Sequence, residues 1–182
     1  MTAPDLAGLL RSIPDHPSPG ITFWDITPLL SDAAALRTAT DGIADLARVL
    51  GPVDLVAGVE ARGFVVGTPL ALALGAGFVP LRKAGKLPWR TVRQAYSLEY
   101  GEAVIEAHED AVPAGARVLV VDDVLATGGT AAAACALVQR LGGTVVGAGF
   151  LMELPALSGR TALRAAAGSE VPVVSLLQVP AG

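Results

Sequence analysis

Apolar residues along this chain fall into short unbroken runs, separated by longer stretches in which they recur with helical period. Val118–Val121 is the clearest run, four apolar residues leading into two acids, as a strand buried on both faces would read. Asp54–Val59, Phe78–Leu81, Thr144–Met152 and Val173–Gln178 have the same character and give further strands. Between them, the stretch from Ser31 to about Leu50 sets Leu36, Ile43, Leu46 and Leu50 on one helical face. Gly63–Leu74, with a proline near its first turn, Thr130–Leu141 and Ser158–Ala167 read as further helices. Near the start, Thr2 and Asp5 can cap a first helix that Pro14 stops. Asp15–Gly20, with Pro17 and Pro19, is a stiff connector to a short extended piece, Ile21–Ile26. Strand and helix alternate over most of residues 1–182, with no repeat or linker. The expectation is one α/β domain, a central and mostly parallel sheet flanked by helices.

One region breaks the alternation. Arg82 to about Ala95 has no sustained apolar period but contains Gly85, Pro88 and many charges, so residues 82–95 read as a flexible surface loop. Tyr96–Tyr100 and Ala103–Ala107 then alternate as a hairpin around Gly101-Glu102.

Composition narrows the class. With 52% hydrophobic and 16% charged residues the chain can bury a core, and disorder is excluded. No apolar run approaches the roughly 18–20 residues of a membrane span, and no secretory signal is visible, so a cytoplasmic setting is the default. The single cysteine, Cys135, rules out an internal disulfide and reads as packing. A net charge of −4 argues against a nucleic-acid surface. Yet Arg82, Lys83, Lys86, Arg90 and Arg93, five of the thirteen Lys and Arg, lie within twelve positions. One concentrated basic segment in an acidic protein suggests a small anionic ligand.

The candidate chemistry sits at strand-to-helix junctions. After Val118–Val121 come Asp122 and Asp123, placed where the strand ends, and then Ala126, Thr127, Gly128, Gly129 and Thr130 before a helix. Such a loop offers backbone N–H groups, hydroxyls and the positive end of a helix dipole to a phosphate. Two carboxylates beside it would repel a bare phosphate; they suit the hydroxyls of a sugar or a metal ion carried with it. Replacing Gly128 by Val is expected to abolish phosphate-ester binding while leaving the fold intact. Arg62, in Ala-Gly-Val-Glu-Ala-Arg-Gly-Phe (57–64), occupies a second junction aimed at the same edge, and its planar donor fork suits a diphosphate.

The string 118–130 resembles the signature of the type I phosphoribosyltransferases, which bind 5-phosphoribosyl 1-pyrophosphate (PRPP). Arg-Lys-Ala-Gly-Lys-Leu-Pro (82–88) and Tyr-Ser-Leu-Glu-Tyr-Gly (96–101) are similar to the adenine-specific branch of that family. Pro14–Pro28, reading Pro-Asp-His-Pro-Ser-Pro-Gly-Ile-Thr-Phe-Trp-Asp-Ile-Thr-Pro, resembles its N-terminal hood. The likeness spans about residues 10–178, with four motifs in the family's order. It implies the type I phosphoribosyltransferase fold, with a small hood (residues 1–30), the flexible loop, and transfer of the 5-phosphoribosyl group from PRPP to N9 of adenine. The products would be AMP and pyrophosphate, in purine salvage.

The same resemblance implies roles. Ala126, Thr127, Gly128, Gly129 and Thr130 would hold the 5-phosphate, and Asp122 and Asp123 the ribose hydroxyls, as catalytic carboxylates. Arg62, Arg82, Lys83 and Lys86 would face the pyrophosphate, with Mg²⁺ carried by PRPP rather than by a protein site. Phe23 would stack on adenine while the main chain at Thr22 and Trp24 reads its edge. Glu99 would be the catalytic residue at the base's imidazole edge, and Tyr100 would help close the site. A homodimer is implied as well. Two positions depart from the family's pattern: Trp24, commonly Arg or Lys, and His16, commonly Phe. His16 and His108 read as packing or surface residues. A transferase for another purine base, or a non-catalytic PRPP- or purine-sensing regulator, are the competing expectations; the regulator would need a basic face or an added helix-turn-helix, and neither is in the sequence.

Overall fold

The alternation of Val118 and Val120 against Leu119 and Val121 sets the layering, because all four are fully buried and successive residues face opposite sides of the sheet. The computed structural model describes residues 4–97, 102–167 and 171–180. In chain order the elements are β1 (Arg11–Ile13), β2 (Phe23–Asp25), α1 (Thr27–Ser31), α2 (Ala33–Arg48), β3 (Leu55–Val59) and α3 (Arg62–Leu74). Then follow β4 (Gly77–Lys83), β5 (Thr91–Ser97), β6 (Glu102–His108), β7 (Arg117–Leu125), α4 (Gly129–Arg140), β8 (Thr144–Glu153), α5 (Gly159–Ala167) and β9 (Val173–Gln178). The main sheet has the order β5-β6-β4-β3-β7-β8-β9. From β4 to β9 its neighbours are parallel, and β6 pairs antiparallel with both β4 and β5. Val118, Val120 and Phe150 pack with α4 and α5 on one face; Leu119, Val121 and Leu151 pack with α2 and α3 on the other. β1 and β2 form the hood, a separate antiparallel pair with Arg11 opposite Asp25.

The predicted α/β layering is present, with local differences. The first helix is only a 3₁₀ turn, Ala7–Leu9, whose Gly8 amide donates to Asp5 at 3.1 Å; the chain then turns extended into β1. Thr2 lies outside the described residues. Asp32, not Ser31, opens α2, accepting from the amides of Ala34 and Ala35 at 2.9 Å each. Its buried stripe is Ala35, Ala39, Ile43, Ala44 and Ala47, with Leu36, Leu46 and Leu50 half-buried beside it. Pro69 sits in the interior of α3 rather than near its first turn.

The loop expected at 82–95 has different bounds: residues 82–83 and 91–95 are strand, and 84–90 connect them. β4 runs on to Lys83, and β5 begins at Thr91 as the edge of the sheet. β4 and β5 lie on either side of β6 and run in the same direction, so residues 84–90 must cross its face. A crossover that short leaves backbone amides without strand partners, and here one side chain satisfies them. Glu106 of β6 accepts the amides of Gly85, Lys86 and Leu87 on Oε1, at 2.8, 3.0 and 3.2 Å. Its Oε2 takes the Thr91 hydroxyl at 3.2 Å and Arg93 Nε at 3.0 Å. A sequence lacking apolar period is therefore ordered by a carboxylate. The two strands expected on either side of Gly101-Glu102 do pair antiparallel, as 91–97 with 102–108, while Gly101 lies outside the described residues. Beyond Gln94 and Ile105 the strand pair extends past the end of β4 as an arm over the carboxyl edge of the sheet.

Candidate active site

Four junctions meet at that carboxyl edge. They enclose a cleft of about 470 Å³ lined by the turn Val59–Arg62, by Lys83, by Tyr96, Ala103 and Ile105 of the arm, and by residues 122–131. The cleft thus brings together Arg62, Lys83, Asp122, Asp123 and all of Ala126–Thr130, as the sequence predicts.

The phosphate loop owes its shape to Gly128, which caps α4 in the left-handed region at φ 86° and has no side chain to offer the helix. The first residues of α4 line the cleft and their amides have no side-chain cap, an arrangement suited to an anion. A Cβ at Gly128 would run into the carbonyl of Gly159 at the start of α5. Substitution there therefore disturbs the packing of α5 as well as the loop, contrary to the expectation that Gly128→Val leaves the fold intact.

Asp122 and Asp123 lie within β7 rather than at its end. Pairing with β3 stops at Val121, but pairing with β8 continues to Leu125 opposite Glu153. The acid pair is therefore free on the β3 side, where α3 begins. Gly63 allows the approach: a Cβ there would stand 2.9 Å from Val121 O and 3.0 Å from Asp122 Oδ1. Asp122 Oδ1 accepts the Asp123 amide at 2.9 Å. Burial, and then the charge of Asp123, push the Asp122 carboxyl well above its ordinary range. Burial also raises Asp123, against the pull of Arg62. Asp123 is 2% exposed, and its Oδ2 lies 3.0 Å from Arg62 Nε but accepts no hydrogen bond. That buried, unsatisfied oxygen in the cleft wall is an acceptor held ready for a hydroxyl or a cation.

Arg62 ties this pair to the hood. Its guanidinium carbon sits 5.1 Å from the centre of the Phe23 ring, and the His16 and Phe23 rings meet in a T-shaped contact, centroids 5.2 Å apart. Trp24 donates Nε1–H to Pro180 O at 3.2 Å, so the indole anchors the hood strand to the end of β9's extension. Phe23 is thus next to the cleft through Arg62 without lining it, Trp24 packs against the cluster of α2 and α3, and Thr22 immediately precedes β2.

The basic segment is sorted by its partners. Arg82 pairs with Glu60 at 3.0 Å, Arg93 with Glu106 at 3.0 Å, and Arg90 with Glu109 at 3.6 Å. Lys83 and Lys86 are exposed and have no ion-pair partner among the described residues. Lys86 and Arg82 do not line the cleft. Glu60, which sequence reasoning passed over, also accepts the Lys83 amide at 3.0 Å and so joins the Arg62 turn to the end of β4. Its burial is outweighed by the Lys83 amide and by Arg82, which hold its carboxyl below the usual range. Its position two residues before Arg62 was the available signal. Glu99 and Tyr100 lie outside the described residues. Groups of acidic, histidine or cysteine side chains able to hold a metal by themselves are absent among the described residues.

Comparison with known proteins agrees with this geometry. Residues 35–163 match the family model described as the phosphoribosyl transferase domain. The adenine phosphoribosyltransferase of Thermobifida fusca (strain YX) is 61% identical over 155 residues, 85% of this chain and 87% of that protein. The crystal structure of adenine phosphoribosyltransferase from Rhodothermus marinus superposes with a TM-score of 0.88 at 48% identity, covering 96% of each chain. The Saccharomyces cerevisiae enzyme, solved with an imino-altritol bisphosphate and adenine, gives a TM-score of 0.88 at 41% identity over 95% of this chain and 97% of that one.

Proposed function

The chain belongs to the phosphoribosyl transferase family, among its adenine phosphoribosyltransferases, and from that premise we propose how its own residues carry out the reaction. It is a transferase that moves the 5-phosphoribosyl group of PRPP to adenine, forming AMP and pyrophosphate. The bond from C1 of the ribose to the diphosphate oxygen breaks as the bond to N9 forms, and the N9 proton is released. The single observation that carries the residue roles is the meeting, in one cleft, of bare α4 amides, a buried acid pair and two cations from separate junctions.

In this reading Ala126, Thr127, Gly128, Gly129 and Thr130 anchor the 5-phosphate. Asp122 and Asp123 hold the ribose hydroxyls and favour the positive charge that grows at C1. Arg62 and Lys83, with Lys86 from the crossover, offset the charge of the departing pyrophosphate. Arg82 acts from behind, through Glu60, unless diphosphate draws it away. PRPP would arrive as its magnesium complex, whose ion would add positive charge at the diphosphate, and the unsatisfied Oδ2 of Asp123 would suit such a partner. Adenine stacks on Phe23, with the backbone at Thr22 and Trp24 reading its edge, and Glu99 bonds the imidazole side while Tyr100 seals the arm. A homodimer in a cytoplasmic setting completes the proposal; the family expectation supports it, and no helix among the described residues is long and apolar enough to cross a membrane. Sedimentation of the purified protein reads the oligomeric state.

The test is incubation of the purified protein with adenine and Mg-PRPP, followed by chromatography for AMP. Absence of AMP would overturn the assignment. Turnover with guanine or hypoxanthine equal to that with adenine would overturn the base preference.

A further inference from the structure

Three consecutive backbone amides converging on one oxygen make the kind of nest in which proteins hold phosphate. Here the nest of Gly85, Lys86 and Leu87 is filled from within, by the Glu106 carboxylate, which is 0% exposed. Its five donors run from Gly85 to Arg93, and Glu106 stands in register with Arg82 of β4 on one side and Arg93 of β5 on the other. One side chain therefore joins the end of β4, the crossover and the start of β5. Burial alone would favour the neutral acid, but the amides and Arg93 outweigh it and keep the carboxyl below its ordinary value. The anchor stays charged at neutral pH.

What lies beyond that anchor is the working part of the molecule. Lys83 follows Arg82 in β4, and Ile105, Ala103 and Tyr96 of the arm line the cleft. In sequence, Glu99 and Tyr100 fall between the two strands of the arm. We infer that Glu106 is a positioning residue for the transfer: it fixes the root of the arm, and so the placement of the arm's side chains and of Lys83 and Lys86 over the substrates. The inference rests on the functional reading above and deepens it. A carboxylate touching no substrate acts here by setting where other groups stand, and errors of about 1 Å in such placement cost on the order of 100-fold in rate.

Glu106→Gln and Glu106→Ala are compared with the parent by steady-state kinetics, by amide hydrogen exchange and by thermal melting. Turnover is expected to fall about 10-fold in the Gln variant and about 100-fold in the Ala variant. The KM for adenine should change less than turnover, because Phe23 and the hood backbone still hold the ring while the arm's groups are misplaced. Exchange at residues 85–87 should quicken in the same order, with β3, β7 and β8 exchanging as in the parent. The Gln variant keeps one oxygen for the three amides, so its partial rescue remains readable even where the Ala variant does not fold. Turnover of the Gln variant within threefold of the parent overturns the inference. So does a loss of turnover accompanied by faster exchange throughout the sheet, which is what general destabilisation produces. A parent that forms no AMP overturns the functional reading together with the inference, whereas an active parent with an unimpaired Gln variant overturns the inference alone.

Discussion

Asp122 and Asp123 are two neighbouring carboxylates that burial has driven toward the neutral form, with one guanidinium beside them. Such a pair costs stability and is tolerated for what it binds. An acid whose pKa is higher folded than unfolded carries more protons in the folded state between the two values. Stability contributed by Asp122 therefore falls as pH rises from near 3.8 toward the raised folded value, and the cost persists above it. Asp122→Asn keeps an oxygen for the Asp123 amide but removes the charge. At pH 7 the variant should melt above the parent, by roughly 2–4 °C for each kcal/mol relieved. The gain should shrink as pH is lowered toward 4, and AMP formation should be lost. Equal melting temperatures at pH 7, or a gain that grows in acid, would contradict the account. Glu99→Ala should reduce turnover by about 10²–10⁴ if Glu99 is the group that bonds the base. A turnover within threefold of the parent would remove it from that role.

At the scale of elements, the phosphate loop and the arm show opposite degrees of legibility. The loop could be read from sequence because an apolar run, two acids and a Gly-Gly-Thr string dictate strand, cleft and helix start by local rules. Gly128 shows where that reading stops: its left-handed φ is a local property, but its contact with Gly159, thirty-one residues on, is not. Gly128→Ala should therefore lose stability and ligand together. The left-handed backbone alone costs an alanine about 1–2 kcal/mol, or roughly 2–8 °C in melting temperature. Titration calorimetry should show Mg-PRPP affinity reduced at least about tenfold through the lost amide geometry. A variant that melts and binds like the parent would refute the loop assignment. The crossover at 84–90 was not legible, since its order comes from Glu106 across a strand and not from any periodicity of its own. Glu106 in sequence looks like an ordinary strand acid, and its burial follows from the strand order β5-β6-β4. The half-buried leucines of α2 have a similar cause: tertiary contact with α3 and β9 selects the alanine stripe beside them.

For the whole molecule, the decisive feature is that the groups proposed to hold the ligand come from elements far apart in the chain. Arg62 starts α3, Lys83 ends β4, Asp122 and Asp123 lie in β7, the amides begin α4, and the hood adds Phe23. A bound phosphoribosyl diphosphate would bridge all but the hood, and it would supply the negative charge that the two unpaired lysines lack. Anything that binds the folded state alone stabilises it by mass action, about 2.7 kcal/mol at a hundred times its Kd. For a chain of 182 residues that corresponds to a rise in melting temperature of roughly 5–11 °C. The chain's net charge of −4 opposes a polyanion at long range, so the attraction must come from the cleft's own cations. Attraction between partly exposed charges is screened by salt over about 8–10 Å at moderate ionic strength. The shift given by a fixed concentration of Mg-PRPP should accordingly shrink as sodium chloride is raised from 50 to 500 mM, whereas the smaller shift given by adenine, held by stacking and backbone contacts, should not. Differential scanning calorimetry at several PRPP and salt concentrations reads both trends. A melting temperature indifferent to millimolar Mg-PRPP, or a shift insensitive to salt, would mean that the cleft does not hold the diphosphate through Arg62 and the lysines.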